Sequence, residues 1–527
     1  MKNRHPIISA TRVLACLILT SGAPALLTSC ADSESPSTIA RHSPESMGPA
    51  PRLVLLYAPC TVNKDYLAPY NSNVPYTPNL KQFAESSVVF TKHHTEAGTS
   101  GIAYASILTG NQSHRHSIYR HPARLPDDAY LVFEAYSELG YETFFWNSHK
   151  MASPELNYGQ GVQPKNMHGR TLIARNPGFK EILDRLRSDT SYRAFVFTHF
   201  TVTHGPYSMK QVDRFLQRFP AQAGDLSAPE IDRFGKLYQD NHFGLSWNTS
   251  QTIEELGLSE SDAARMAQVI ELLYRSTVWH LDRMFGEVVA QIESFGLRDQ
   301  SLIAFTADHG EVLDRDQTPF TWSHSMQLAS EVLNVPLLIS MPGLEAGPYD
   351  HVTRSIDLFP TLLGLTGNLV PAGRIVQGVD LSSALMNRDL APGLLAYSHT
   401  TVLVHTVFKQ MYHPDQMQDW EHVRTFFPKE DVNLIWAGVR EGNMIWKLRK
   451  FKEGTWGMEA FDLTDDPVEN TNLYDPNNHQ HVQMAEKLDT YKKLLARRYE
   501  ELRGDGSART LTEVEEIEAL RSLGYIK

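Results

Sequence analysis

Apolar residues along this chain fall into two rhythms. Short unbroken runs at Leu53-Val54-Leu55-Leu56-Tyr57, Thr143-Phe144-Phe145-Trp146, Ala194-Phe195-Val196-Phe197 and Ser301-Leu302-Ile303-Ala304-Phe305-Thr306 read as strands buried on both faces, the mark of a parallel sheet. Between the last two, Ala263, Met266, Val269, Leu272, Leu273, Thr277, Leu281 and Met284 recur at helical spacing, predicting one or two long amphipathic helices over 259–295. Further strands are expected at 87–90 and 335–340. Further helices are expected at 77–84 with Pro78 in the first turn, after Thr99-Ser100 as far as Gly110, at 131–136, from His324 through Glu331, and from Ile356. Residues 208–258 are polar and mixed, a candidate lid. Beyond about 390 the texture changes to alternating runs around turns, at 434–440, 443–448 and 458–461, an antiparallel meander that a helix at 480–503 closes.

The four strand-like runs share a feature: each leads into polar or ligand-type side chains. The first reaches Cys60, the second His149-Lys150, the third His199 and His204, and the last Asp308-His309. If these strands are neighbours in one open sheet, their carboxyl ends bring those groups to a single crevice, where ligands of α/β sheets collect. Asp308-His309 fits two readings: a ligand pair for a divalent ion, or an aspartate capping the next helix beside a packed histidine. Thr99-Ser100 fits two as well. A hydroxyl at a helix N-terminus caps the helix, or faces its open amides as a nucleophile whose alkoxide they stabilise. His204 precedes Gly205-Pro206, which forbids helix, so it lies on a loop; His199, one step nearer the strand, is assigned to packing.

With 527 residues the chain has room for one large α/β domain and an appendage, and 42% hydrophobic with 21% charged residues is ordinary globular composition. A net charge of -12 without a long basic run argues against a nucleic-acid partner. Lys2, Arg4 and Arg12 ahead of the apolar stretch 13–27 read as a signal peptide, too short to span a bilayer. Leu27-Thr28-Ser29-Cys30 is similar to the bacterial lipobox, so Cys30 is the expected lipidation site and the protein is expected to be exported and lipid-anchored to a bacterial membrane, periplasmic or at the cell surface. The Ser- and Pro-rich segment that follows is a tether. Of three cysteines, Cys16 leaves with the signal and Cys30 is acylated, which leaves Cys60 unpaired.

Thr77-Pro78-Asn79-Leu80 with Phe83-Ala84, Leu108-Thr109-Gly110, Gly140-Tyr141-Glu142-Thr143, His204-Gly205-Pro206-Tyr207, Thr306-Ala307-Asp308-His309-Gly310-Glu311, His324 with Glu331, Val335-Pro336-Leu337, Asp357-Leu358-Phe359-Pro360-Thr361, Phe461-Asp462-Leu463 with Asp465-Asp466-Pro467, and Leu523-Gly524-Tyr525 together resemble the sulfatase branch of the alkaline phosphatase superfamily, in family order from about residue 52 to 527. The resemblance implies an α/β fold with a mixed sheet flanked by helices and a small C-terminal antiparallel subdomain plus helix. Beyond the signal peptide (1–29) and tether (30–50) read from the N-terminal residues, it implies a catalytic domain (51–390) and a C-terminal subdomain (391–527). It also implies hydrolysis or transfer of a sulfate or phosphate ester, glycan- or lipid-linked substrates among them, with a divalent metal.

Two departures shape the expected chemistry. Ser100 falls where the family carries the Cys or Ser converted to formylglycine, but Ser100-Gly101-Ile102-Ala103-Tyr104 lacks the Pro/Ala and Arg that this conversion uses. The first strand is followed by Pro59-Cys60 instead of paired aspartates, leaving Cys60, or Asp65 further along the loop, as the extra metal ligand. With His309 and a thiol, zinc or manganese is expected ahead of calcium. The leading reading is a hydrolase with Ser100 as nucleophile, Thr99 as the alternative, and Asp308, His309 and Cys60 as metal ligands. His204 and His324 hold substrate oxygens or protonate the leaving group, and His149 and Lys150 bind the substrate. A phospho-head-group transferase of the same fold and a catalytically inactive glycan-binding lipoprotein are the rivals.

Overall fold

A computed structural model describes residues 49–505, apart from 121, 170–171, 248, 314–320, 325–326, 389, 391, 401–435 and 451–455. The signal, Cys30, most of the tether, the Leu523-Gly524-Tyr525 end and part of the expected 434–440 run lie outside the described residues.

The central sheet has eight strands in the order β4-β3-β5-β1-β6-β7-β2-β8: β1 (Leu53–Tyr57), β2 (Val88–His94), β3 (Glu142–Asn147), β4 (Met167–His168), β5 (Ala194–His199), β6 (Ser301–Thr306), β7 (Leu337–Ser340) and β8 (Gly347–Arg354). The four apolar runs are therefore adjacent, with β3, β5, β1 and β6 all parallel. β7 runs antiparallel to both β6 and β2, which makes the sheet mixed, as the resemblance implied and the bare apolar runs did not. Alternate β1 side chains serve different cores. Leu53, Leu55 and Tyr57 pack with the long helix Glu260–Ser294, while Val54 and Leu56 pack against the helices Ser100–Thr109 and Leu358–Leu365.

The long helix is a single element whose N-cap Ser259 accepts from the Asp262 amide. Its buried Asp282 also reaches a neighbouring helix, where Oδ1 accepts from the Leu80 amide at 2.7 Å and Oδ2 from the Asn79 amide at 3.2 Å. The helix Pro78–Ala84 is thus capped by a carboxylate from another helix, while Thr77, its N-cap, makes no side-chain cap bond. Residues 208–258, illegible as a pattern, form the helices Val212–Arg218, Ala228–Trp247 and Thr249–Glu255. The helix expected from His324 is a correction. Among the described residues of 324–333 only Ser330–Leu333 is helical, and Ser323 bridges to Val312 just before His324, which favours extended chain there.

At Gly310 the chain meets a neighbour too closely for a side chain: a Cβ there would lie 1.9 Å from the Glu331 carbonyl oxygen. Gly310→Ala is expected to lower stability by about 3 kcal/mol, since backbone must move, a loss read as a fall in the urea midpoint.

A second sheet of four antiparallel strands, β9 (Ala396–His399), β10 (Ala437–Glu441), β11 (Met444–Lys450) and β12 (Trp456–Asp462), packs with the helix His479–Asp505. Buried Glu96 ties it to the segment ahead of Ser100. The carboxylate accepts from Ser106 Oγ at 2.5 Å, the Ser113 amide at 2.9 Å and Tyr491 Oη at 3.0 Å, with His116 at 3.6 Å and His399 at 3.7 Å. Burial alone would raise its pKa, but the His116 hydrogen bond, the His399 and His116 charges and the Ser106 hydroxyl bring it down from 4.5 to about 2. A carboxyl whose folded value lies below its unfolded one stabilises fully above the unfolded value and loses that contribution as pH falls through the folded one. Glu96 is therefore expected to supply roughly 3 kcal/mol that drains away between pH 4.5 and 2. Acid titration of stability should show that loss, and Glu96→Gln should flatten it.

Candidate active site

The expected crevice exists. Beyond β1 the chain stays in register, with the Cys60 amide donating to Phe200 O at 2.8 Å and Thr203 Oγ1 donating to Cys60 O at 2.5 Å. Thr61, at φ 53°, then turns the strand away, and its amide donates to Asp308 Oδ1 at 3.1 Å, so the ends of β1 and β6 are cross-tied. The His309 amide donates to the same oxygen at 2.8 Å.

Ser100 opens its helix directly over these groups. Its Oγ lies 3.3 Å from Cys60 Sγ and 3.3 Å from His309 Nε2. His309 Nδ1 donates to the Gly310 carbonyl at 3.0 Å, which leaves Nε2 as the electron-pair donor facing Ser100. Burial works to raise the Asp308 pKa, yet His309, His199 and the Ser100 hydroxyl hold the carboxyl below the ordinary aspartate range. Burial, and then the Asp308 charge, push the Cys60 thiol well above its ordinary value. Thr99 supplies the N-cap backbone, but its own Oγ1 is buried without a hydrogen bond, so Ser100, not Thr99, presents its hydroxyl to the cluster.

Around this core stands a ring of imidazoles. His324 lies 4.4 Å from His309 between ring centres and 5.2 Å from His204; His204 is 6.0 Å from His149, and His149 is 5.0 Å from His199. His324 Nδ1 pairs with Glu311 Oε1 at 3.0 Å, and burial pushes the Glu311 carboxyl up to about 7. Burial lowers the pKa of His204 and His324, so neither is a ready cation for an anionic substrate.

The structure places three further residues singled out by the sequence. Asp65 is exposed and pairs with Lys64 at 2.8 Å, because Asn63 caps a 3-10 turn that directs it to solvent. Lys150 is exposed too; of that pair only buried His149 joins the ring. His199 does pack, 3.9 Å from the Tyr104 ring, but it also lies beside His149 and lowers the Asp308 pKa. Tyr104 stands where the resemblance expects an arginine, and its hydroxyl donates to Ala58 O at 2.6 Å. Glu311 carried a signal, an acid two residues past His309, whereas His242, which meets Gly205 from the Ala228–Trp247 helix, lay in the unreadable stretch.

The sulfatase family model matches residues 61–368, more than half of the chain, spanning the helix of Ser100, the Asp308-His309 strand end and His324. The chain belongs to the sulfatase family. Members of this family generally use a divalent metal. Among relatives of this sulfatase-family chain, the choline-sulfatase of Rhizobium meliloti is 23% identical over 449 residues, covering 73% of this chain and 83% of that protein. An ulvan-active sulfatase of Formosa agariphila is 24% identical over 337 residues, covering 59% of this chain and 61% of that protein. The fold also matches a solved structure in complex with its substrate D-glucosamine-2-N,6-O-disulfate, at a TM-score of 0.58 and 17% identity over 88% of this chain and all (100%) of that one. A phosphonate monoester hydrolase from Silicibacter pomeroyi matches at a TM-score of 0.57 and 17% identity over 84% of this chain and 95% of that one.

The donor set bears on the family's metal. Cys60, Asp308 and His309 each offer one ligand atom, all within 4.8 Å of one another, and Asp308 Oδ2 is buried without a hydrogen bond. A thiol, a carboxylate and an imidazole suit zinc; calcium, which takes oxygen ligands only, does not fit them.

Proposed function

We propose that this chain is a metal-dependent hydrolase of sulfate or phosphate esters in which Ser100, as an unconverted serine, is the nucleophile. One observation carries the reading: Ser100 Oγ stands at a helix N-terminus within 3.3 Å of both Cys60 Sγ and His309 Nε2. A zinc or manganese ion held by Cys60, Asp308 and His309 would lower the hydroxyl pKa and offset the charge of the ester. Ser100 Oγ forms the bond to sulfur or phosphorus as the bond to the leaving oxygen breaks, and the hydroxyl proton passes to the Asp308 carboxylate. With Glu311 protonated and donating to His324 Nδ1, the proton on His324 Nε2 passes to the leaving oxygen as the Glu311 proton moves to Nδ1, and water then releases the acid from Ser100. Open amides in the first turn of the Ser100–Thr109 helix face the charge that develops.

The relatives named as sulfatases support an ester of sulfate, and the phosphonate hydrolase of the same fold keeps phosphorus esters in the panel. Purified protein is to be offered aryl sulfate, phosphate monoester, phosphate diester and phosphonate substrates, with metal content measured alongside. Turnover of at least one class by metal-loaded protein is expected. Label appearing on an added acceptor instead of water would replace hydrolysis by transfer, and absence of both metal and turnover would leave a binding protein.

Export and a lipid anchor at Cys30 belong to the same proposal and rest on the N-terminal residue pattern. Cys30→Ser is expected to move the protein from the membrane to the soluble fraction.

A further inference from the structure

Cys60 belongs to two ligand groups, not one. Besides the trio with Asp308 and His309, it forms a second with His149 and His204, again with one ligand atom from each within 4.8 Å of the others. The two trios share only the thiol. We infer that the crevice holds two zinc-type ions, the second bound by His149 and His204 and joined to the first through a shared Cys60 thiolate.

Three observations converge on this site. His204 Nδ1 donates to the Gly205 carbonyl at 2.6 Å, so its Nε2 is the electron-pair donor, the same arrangement that His309 adopts with Gly310 at 3.0 Å. His149 is 1% exposed, and its ring lies 5.0 Å from His199, which is fully buried and carries no hydrogen bond on either ring nitrogen. The second trio itself is a thiol and two imidazoles without a carboxylate, a donor set that suits a zinc-type cation. A thiolate can bridge two ions, each about 2.3 Å from sulfur. Two cations in one site clamp the entering and departing oxygens of a displacement. The arrangement also supplies positive charge where Tyr104 stands in place of the family's arginine.

The inference rests on the metal reading above, because the ions share Cys60, and stoichiometry separates the two. Full-length protein is stripped with chelator, reloaded with zinc, desalted and assayed for bound metal. Wild type is expected to retain two ions per chain, His149→Ala/His204→Ala one, and Asp308→Asn one. One ion in wild type, or two in the double histidine variant, would overturn the second site. Two ions in Asp308→Asn would instead overturn the first. Titration of wild-type protein with cobalt(II) needs no variant to fold: the thiolate-to-cobalt charge-transfer band should grow over both equivalents for a shared sulfur. Growth over the first equivalent alone refutes sharing.

Discussion

Ser100→Ala is expected to lower turnover by about three orders of magnitude or more while leaving the circular dichroism spectrum and melting temperature close to wild type. The side chain is small and buried at the first turn of its helix, and the N-cap position is Thr99, so deleting the Ser100 oxygen removes little packing and no helix cap. What it removes is the atom that stands 3.3 Å from His309 Nε2. Thr99→Ala is the matched control. Its hydroxyl is buried without a hydrogen bond, and its loss should cost little activity. An inactive Thr99→Ala beside an active Ser100→Ala would transfer the role; two active variants would end the nucleophile claim.

The second large effect is expected from Asp308→Asn. That carboxylate accepts from the Thr61 and His309 amides through Oδ1 and leaves Oδ2 toward the donor cluster. An amide of the same shape keeps an acceptor for the two backbone donors but loses the negative charge that draws a cation. Bound metal should fall, and turnover with it, by on the order of a thousandfold, equivalent to several kcal/mol of charge stabilisation. Elemental analysis and kinetics on one preparation check both. Full activity in Asp308→Asn would show that the ester is cleaved without this ligand.

The strands that carry the site were legible because each is buried on both faces and so reads as an unbroken apolar run, and their convergence followed from parallel neighbours ending at one edge. The helix opened by Ser100 was legible through its small residues and Gly110, which takes φ 64° at the C-cap. Other features left no local trace. Asp282 caps a helix 202 residues away from Leu80, and no spacing rule reaches that far. Glu96 looked like any acid in a turn, yet its partners come from a helix, a strand of the second sheet and the C-terminal helix. His199 was read as packing because alternation along β5 says which face a side chain takes, not what lies across it. Asp65, kept as an alternative ligand, faces solvent beside Lys64, because the loop after Cys60 turns at Thr61, a residue type with no usual claim to positive φ.

The position of β1 has a consequence for how the chain is made. The first strand sits between β5 and β6, so its two backbone edges are covered only when residues 194 and 301 have been added. A nascent chain carries that apolar ribbon with at least one edge uncovered through nearly half of its synthesis, open to chaperones and to mispairing with another copy. Fragments ending before β6 should therefore be captured by holdases or aggregate, and the ribosome, not the crevice, is where β1 is most vulnerable.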